Sequence, residues 1–392
     1  MKKYLITMTL VLTIVFLTSC SSGPTLSLYN WGEYIDDALV EAFEEESGIK
    51  VKQIAFDSNE VAITQIKAGN QYDLVIPSDY AIEQLAEEDL IDPIDWSKIE
   101  AFDKDVDLAT GLTSVLNTLA EGNDGFDLLS YAVPYFWGNV GILYDTTVVD
   151  ENDLTGWDVL NLSDTYEVAF YNSSRDAFMS AMFATNTADI NNPSDTELDL
   201  SYQWLDNALT ENTYVITDDI FDAMLDPARY NLAVSFSGDA NFLMMENENL
   251  SFYVPEEGTN VWVDGFVMPK GAQSDYAYEF INFMMSYDSS LQNTDWVAYT
   301  SPRQDVIDAL LLDGYDAYEA SFDVKINEND QVYRYNEDLK LEIDDSWQQI
   351  LANKGYDEEG IGTTTIIAIA LGVSIVLGTT IYSVIKKKRK TV

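Results

Sequence analysis

Two short segments place aromatic rings, a carboxylate and a hydroxyl where a predicted strand ends. In LSLYNWGEY, Trp31, Glu33 and Tyr34 follow one apolar strand, and in YDLVIPSDY, Ser78 and Tyr80 follow another. Aromatic rings attract cations through their quadrupole, and carboxylates accept charge-assisted hydrogen bonds from ammonium groups. These residue types at two strand ends therefore predict a site for an organic cation.

Asp264 is a further candidate acid, because it lies in the apolar segment VWVDGFVM, residues 261–268. A carboxylate in a segment typical of a buried strand requires a partner, either inside the protein or in a ligand. Trp31 taken alone is more typical of core packing, so the prediction depends on the set of residues rather than on any one ring.

The composition excludes several classes of site. The chain has 392 residues, no histidine and one cysteine, Cys20. This removes the Ser-His-Asp arrangement, the commonest metal ligand and any internal disulfide. The sequence also lacks the glycine motifs that bind phosphates or dinucleotides. We therefore expect no metal and no cofactor, while paired carboxylates, as in glycosidases, remain open.

The charge balance is strongly acidic, with 68 Asp and Glu against 20 Lys and Arg and a net charge of −48. Nucleic acid is itself polyanionic, so it is not expected as a partner. Most of these acids must lie on the solvated surface, where they weakly concentrate cations. The charge alone therefore does not identify a ligand.

The elements that must position these residues follow an alternating order. Periodicity predicts strands at 26–29, 51–56 and 74–76 and helices at 36–46 and 60–68. This βαβαβ order predicts a mainly parallel sheet covered on both faces, with ligand contacts at the carboxyl ends of its strands. Further predicted helices are 177–184, 200–209, 239–245, 276–285 and 305–312, and further strands are 168–171 and 232–236.

Both ends of the chain carry predicted membrane signals. Residues 1–19 have a positive start and an apolar stretch before Cys20, which resembles a bacterial lipoprotein signal with Cys20 as the lipidation site. An uncleaved anchor is the alternative. Residues 363–385 are uncharged and precede the basic tail 386–392, as in a transmembrane helix with a cytoplasmic C-terminus. We therefore expect a protein anchored in the cell membrane, with its binding region on the extracellular or periplasmic side.

Six segments, in order, resemble those of bacterial spermidine/putrescine-binding proteins of polyamine ABC importers: YNWGEY, GIKV, FDSNEV, YDLVIPSDY, VPYFWGNVGILYD and WVDGFVMPKGA. The resemblance extends from about residue 26 to near residue 355. It implies an α/β, two-lobed, hinged periplasmic-binding-protein fold of type II, with the ligand between the lobes. Lobe 1 would comprise residues 25–137 and 265–300, and lobe 2 residues 138–264 and 301–355.

The resemblance also implies a set of ligand-binding residues. They are Trp31, Glu33, Tyr34, Ser78, Tyr80, Asp176, Phe236, Asp239, Trp262, Asp264 and Tyr299. Phe236 stands where a tryptophan is usual, Gly32 replaces a small hydroxyl residue, and Ser173 stands where spermidine-preferring relatives have an aspartate. Because Asp239 matches an acid of putrescine-preferring members, the set favours a diamine such as putrescine.

A polyamine consists of ammonium groups separated by methylenes, so its site needs acids at the ends and flat apolar walls between them. The chain is therefore expected to be a receptor, not an enzyme, that passes a polyamine to a separate permease and ATPase. A receptor for a sugar or an iron complex is an alternative, because this architecture hosts many ligands. A surface glycosidase using two of these carboxylates and a passive adhesin are also compatible with the sequence.

Overall fold

The computed structural model describes residues 23–121, 125–216, 220–225, 230–312 and 324–356. Its strands are β1 (Thr25–Trp31), β2 (Lys50–Phe56), β3 (Leu74–Val75), β4 (Ile91–Asp92), β5 (Val133–Asp145), β6 (Val168–Tyr171), β7 (Thr213–Ile216), β8 (Leu232–Phe236), β9 (Leu250–Tyr253), β10 (Val261–Phe266) and β11 (Met268–Pro269). Its helices are α1 (Asp37–Ser47), α2 (Asn59–Lys67), α3 (Asp79–Glu87), α4 (Thr110–Ala120), α5 (Ser174–Ala184), α6 (Asp195–Ala208), α7 (Ile220–Leu225), α8 (Ser237–Glu246), α9 (Ser274–Met284), α10 (Tyr287–Val297), α11 (Gln304–Leu312) and α12 (Glu337–Lys354).

The first sheet has the strand order β2-β1-β3, and both pairings are parallel. Helix α1 begins where the Asp36 side chain accepts a hydrogen bond from the Ala38 N–H, and it ends at Gly48, which adopts a left-handed conformation. Its buried residues Leu39, Val40 and Phe43 recur with helical spacing. The predicted βαβαβ unit is therefore confirmed.

The second sheet has the order β10-β5-β8-β6-β7, with β9 also paired to β5. Strand β6 pairs in parallel with β7 and β8, whereas β5 runs antiparallel to β8, β9 and β10. The second sheet is thus mixed, unlike the parallel first sheet for which the βαβαβ order was predicted. Strand β5 is buried on both faces over nearly its whole length, although it runs antiparallel to its neighbours.

Strands β5 and β10 connect the two sheets. The first half of β5 pairs with β10 and its second half with β8 and β9. The pairing of β10 is irregular between Asp264 and Gly265, and isolated bridges join Ser78 to Asp264 and Val75 to Val267. Asp264 therefore lies where the second sheet meets the end of β3.

The apolar core also extends from the first sheet to the second through β5. One cluster of buried residues includes Leu28 of β1, Phe136 of β5 and Phe170 of β6, so the two sheets share packing through β5. Helix α12 packs against α5 and α6 and buries Trp347.

The expected membrane segments fall outside this structure. Among the residues it describes, no helix is long and apolar enough to cross a membrane. The predicted signal 1–19, Cys20, the predicted helix 363–385 and the basic tail 386–392 all lie outside the described ranges.

Candidate ligand-binding site

Asp264 is a buried acid with one oxygen available for a ligand. It is 5% exposed, and the Tyr34 hydroxyl donates to its Oδ2 at 3.0 Å. Its Oδ1 is buried and has no hydrogen-bond partner in the described part of the chain. Burial raises the pKa of Asp264 to about 7, because the Tyr34 hydroxyl and the neighbouring Ser78 side chain offset only part of the lost hydration. A cation beside Oδ1 would restore the charged form.

Asp239 is the second acid of the site. It lies in the first turn of α8, where the helix dipole favours negative charge. The Tyr299 hydroxyl donates to Oδ1 at 2.7 Å and the Tyr171 hydroxyl to Oδ2 at 3.1 Å. Burial raises the pKa of Asp239 to about 6 against the opposing effect of these two hydrogen bonds. Each carboxylate oxygen thus has one donor and room to accept another.

Aromatic rings link the two acids. The ring of Tyr34, which binds Asp264, lies 5.2 Å from that of Tyr299, which binds Asp239. Tyr299 also contacts Trp262 at 5.5 Å between ring centroids, and Trp262 contacts Phe236 at 6.0 Å. These contacts are all edge-to-face, the arrangement that aromatic rings prefer. Acids joined by a continuous aromatic wall are suited to a cation with an apolar spacer.

Gly238 makes room for one of these rings. A Cβ atom at this position would lie 2.1 Å from Cδ2 of Tyr299, which is far inside van der Waals contact. The Tyr299 ring therefore packs directly on the backbone at the start of α8. This position brings the Tyr299 hydroxyl within hydrogen-bond distance of Asp239.

Asp176 lies in the first turn of α5, close enough to Tyr171 for its charge to add to the effect of burial in raising the pKa of that hydroxyl group. Ser173 caps this helix by accepting the Asp176 N–H at 3.3 Å. Burial raises the pKa of Asp176 to about 6, while Ser173 and the charge of Arg175 favour its ionised form. The Arg175 guanidinium in turn covers the Tyr80 ring, with Cζ 3.8 Å from the ring centroid.

Asn59 of α2 positions the side chains of Ser78 and Tyr80, which follow β3. The side chain of Asn59 donates to the hydroxyls of Ser78 at 3.1 Å and Tyr80 at 3.0 Å. The Ser78 N–H donates back to Asn59 Oδ1 at 3.0 Å. Asn59 therefore fixes both side chains at the end of β3.

Trp31 and Glu33 occupy the end of β1. The Trp31 ring is half-buried and packs on Phe56 at 4.5 Å between centroids. Glu33 is exposed and has a positive φ of 52°. The structure thus brings Tyr34, Phe236, Asp239, Trp262, Asp264 and Tyr299 into one cluster with Ser78 beside it, places Tyr80 and Asp176 around Arg175, and leaves Glu33 in solvent.

The described residues contain no group of three or more His, Cys, Asp or Glu side chains placed to hold a metal ion.

Residues 38–325, nearly three quarters of the chain, match the family described as bacterial extracellular solute-binding protein. The chain belongs to this family.

Curated relatives are similar over most of their length. The spermidine/putrescine-binding periplasmic protein of Salmonella typhimurium is 27% identical over 296 residues, which cover 72% of this chain and 79% of that protein. The putrescine-binding periplasmic protein of Escherichia coli is 28% identical over 313 residues, which cover 73% and 80%. The crystal structure of the spermidine/putrescine ABC transporter substrate-binding protein from Streptococcus pneumoniae superposes with a TM-score of 0.70 at 31% identity, covering 84% of this chain and 99% of that one.

These comparisons confirm the two-domain α/β fold of a substrate-binding protein. They also confirm the receptor class, since family and relatives are solute-binding proteins rather than enzymes. A glycosidase function therefore has no support. The exact lobe boundaries stay a prediction.

Several residues of the site were not predicted from the sequence. Tyr171 supports Asp239, Asn59 supports Ser78, and Tyr135 donates to the Tyr34 carbonyl at 2.7 Å. Tyr171 ends the predicted strand 168–171, so the rule that ligand contacts follow the carboxyl ends of strands would have found it. Asn59 and Tyr135 act on neighbours that are distant in sequence, and no local pattern identifies them.

Proposed function

We propose that this protein captures a polyamine of the putrescine/spermidine class between its two domains and delivers it to an ABC permease. The observation that carries the proposal is the buried Asp264, whose Oδ1 has no hydrogen-bond partner among the described residues, joined by aromatic rings to the half-buried Asp239. The relatives named for spermidine and putrescine support the same ligand class.

The chemistry of the two acids favours a diamine over a neutral solute. An ammonium group donates three hydrogen bonds and carries the positive charge that would balance a carboxylate. A sugar would supply hydroxyls but no positive charge, and the cost of holding ionised Asp264 in a buried position would remain. The rings of Tyr34, Trp262 and Tyr299 would line the methylene spacer.

We infer a preference for the shorter amine. Ser173 stands where spermidine-preferring relatives have an aspartate, and here it caps α5 instead of supplying a charge. The charge of the neighbouring Arg175 favours the ionised form of Asp176. Asp264 and Asp239 instead take their hydrogen bonds from neutral hydroxyl groups, so two acids remain for the two ammonium groups of a diamine.

The proposal includes a separate permease and ATPase, because the sequence has no nucleotide-binding motif. Anchoring through Cys20 and residues 363–385 would hold the receptor beside that permease. Mass spectrometry of the amino-terminal peptide would show whether Cys20 carries lipid, and an unmodified Cys20 in membrane fractions would remove the lipid anchor.

The direct test is calorimetric titration of the full chain, purified in detergent, with putrescine, cadaverine, spermidine and spermine. Maltose and ferric citrate serve as controls for a sugar and an iron complex. Saturable binding of one amine per chain, tightest for putrescine, is expected. Binding of maltose or ferric citrate alone, or no binding of any of these compounds, would contradict the proposal.

A further inference from the structure

Arginine is scarce in this chain, with five residues among 392. Two of them lie beside the candidate site. Arg175 is in the first turn of α5, and Arg334 lies just before α12, which packs against α5 and α6. The Arg175 side chain reaches Glu60 of α2, and the Arg334 side chain reaches Glu83 of α3, both beside the first sheet. They therefore connect the two halves of the molecule.

Arg334 forms an ion pair with the buried Glu83 of α3, while the Arg334 side chain itself is 23% exposed. Its Nε donates to Oε1 at 3.0 Å and to Oε2 at 2.9 Å, and its Nη2 also donates to Oε1. The N–H of Tyr335 adds a bond to Oε2 at 2.8 Å. The Glu83 side chain is 5% exposed. A pair with one member this buried is costly to break, because separation leaves the Glu83 charge out of water until it is hydrated.

Arg175 makes a second connection, through an aromatic face. Its guanidinium lies between the rings of Tyr80 and Tyr333, with Cζ 3.8 Å and 5.4 Å from their centroids. Its Nε lies 3.7 Å from Glu60 Oε1, and its side chain is 12% exposed. The Tyr333 hydroxyl donates to the Arg175 carbonyl at 2.8 Å, so the segment that carries Arg334 also supports Arg175.

The two arginines hold the same helix at positions one turn apart. Tyr80 and Glu83 lie three residues apart on α3, so they share one face of that helix. The residue before α3 is Ser78, which bridges to Asp264. Any motion that separates α3 from the second sheet must therefore break both arginine contacts and move Ser78 and Tyr80 away from the acids.

We propose that Arg175 and Arg334, with Tyr80 and Glu83, form an α3 clamp that positions the ligand-binding wall and holds the two domains together without help from the ligand. This rests on the proposed function for its ligand, and it assigns Arg175, Arg334 and Glu83 a role in positioning the wall rather than in binding the amine. Because release of an enclosed ligand requires the clamp to open, clamp variants should mainly accelerate dissociation.

The first experiment needs no ligand. Spin labels at Val106→Cys and Leu341→Cys, two exposed positions of which one lies in each expected lobe, in a Cys20→Ser background of the full chain, report the distance between the domains by pulsed electron paramagnetic resonance. The unmodified clamp should give one narrow distance. Arg334→Gln and Arg175→Gln should each add a longer and broader component, and the double variant should add more.

Lys67→Gln is the matched control. It removes an ion pair of 2.6 Å between Lys67 of α2 and Glu88 at the end of α3, a pair that stays beside the first sheet. This variant should keep the narrow distance. Glu83→Arg combined with Arg334→Glu restores the pair with reversed charges and should recover the narrow distance better than either single change.

The second experiment follows putrescine release by stopped-flow tryptophan fluorescence. Arg334→Gln should accelerate dissociation by roughly tenfold, with association changed far less. Unchanged distances and unchanged dissociation in both single variants would overturn the clamp, as would equal effects in Lys67→Gln. If the chain binds no polyamine, the distance measurement alone still decides the clamp, so its failure and that of the proposed function are separable.

Discussion

At the scale of single residues, the acids of the site are defined by what surrounds them rather than by their type. Asp264 and Asp239 are two of 68 acidic residues, yet both lie among tyrosine hydroxyls and aromatic rings that remove water from them. Burial raises the pKa of both carboxyl groups. A ligand ammonium would favour the charged forms and lower those pKa values.

Asp264→Asn removes the charge and keeps the shape of the side chain. We expect putrescine affinity to fall by about 10- to 150-fold, or about 1.5–3 kcal/mol, because a charged hydrogen bond is lost. Calorimetry measures the change. Asp199→Asn, at an exposed position of α6, is the matched control and should bind as the parent chain does. Equal affinity of both variants would exclude Asp264 from the site.

Binding should also depend on pH. The ligand-free pKa values of about 7 for Asp264 and about 6 for Asp239 mean that both acids take up protons as the pH falls through that range. An ammonium group binds the charged acids, so affinity should be full above about pH 8 and decline below about pH 7. Titrations in buffers of different ionisation enthalpy should show proton release near about pH 6.5. A constant affinity from about pH 5 to about pH 8 would contradict the raised pKa values.

Tyr34 and Ser78 were predictable because they follow strand ends, and Asp264 because it interrupts an apolar segment, whereas Phe236, Asp239, Trp262 and Tyr299 were expected only from the family resemblance. Asp264 was predicted from the segment 261–268 alone. Which acids share a cluster was not predictable, because Tyr34 and Asp264 are 230 residues apart and meet only through the fold. The solvent position of Glu33 likewise depends on a positive φ at that residue.

At the scale of elements, the starts of helices position the site. Asp239 lies at the start of α8, Asp176 at the start of α5, and Ser78 immediately before α3. The start of helix α8 needs a glycine, because the Tyr299 ring packs directly against Gly238 and leaves no room for a side chain there.

Gly238→Ala should displace the Tyr299 ring and weaken putrescine binding by roughly tenfold or more, since the added methyl group overlaps the ring. The comparison that isolates this contact is a double-mutant cycle with Tyr299→Ala. Once the ring is absent, the further change at Gly238 should cost little affinity. An equal cost in both backgrounds would show that Gly238 acts on something other than Tyr299.

Most elements of the first half were predictable from periodicity, and their ends agree within a few residues. Helix α3 was not predicted, although Pro77 and Ser78 precede the apolar residues 81, 82 and 85 in a pattern typical of a helix start. Helix α6 begins at Asp195, earlier than the predicted residue 200, because Ser194 and Glu197 form a capping box. The direction of β5 was not predictable, because burial on both faces gives the same pattern in either orientation.

At the scale of the whole molecule, the net negative charge and the buried acids both destabilise the folded chain at higher pH. Asp79 is buried beside Asp264 and Glu83, and burial raises its pKa to about 8. Between the unfolded pKa of about 4 and these raised values, the folded chain holds more protons than the unfolded chain, so stability falls as the pH rises. The acids with lowered pKa values, such as Glu44 and Glu197, lose their stabilising effect only at more acidic pH.

The melting temperature of the ligand-free chain should therefore decrease from about pH 5 to about pH 8. Added sodium chloride should raise it, most strongly at the higher pH, because salt screens the repulsion within a chain of net charge −48. Differential scanning calorimetry over both variables measures this. A melting temperature that rises with pH across this range would show that the buried acids are already paired in the ligand-free protein.

The most direct test of the central claim is a crystal structure of the protein with putrescine. We predict one ammonium nitrogen within about 3 Å of Asp264 Oδ1, the other at Asp239, and the methylenes against the rings of Tyr299 and Trp262. A putrescine bound away from both acids, or a site that remains without amine at saturating concentration, would contradict the claim.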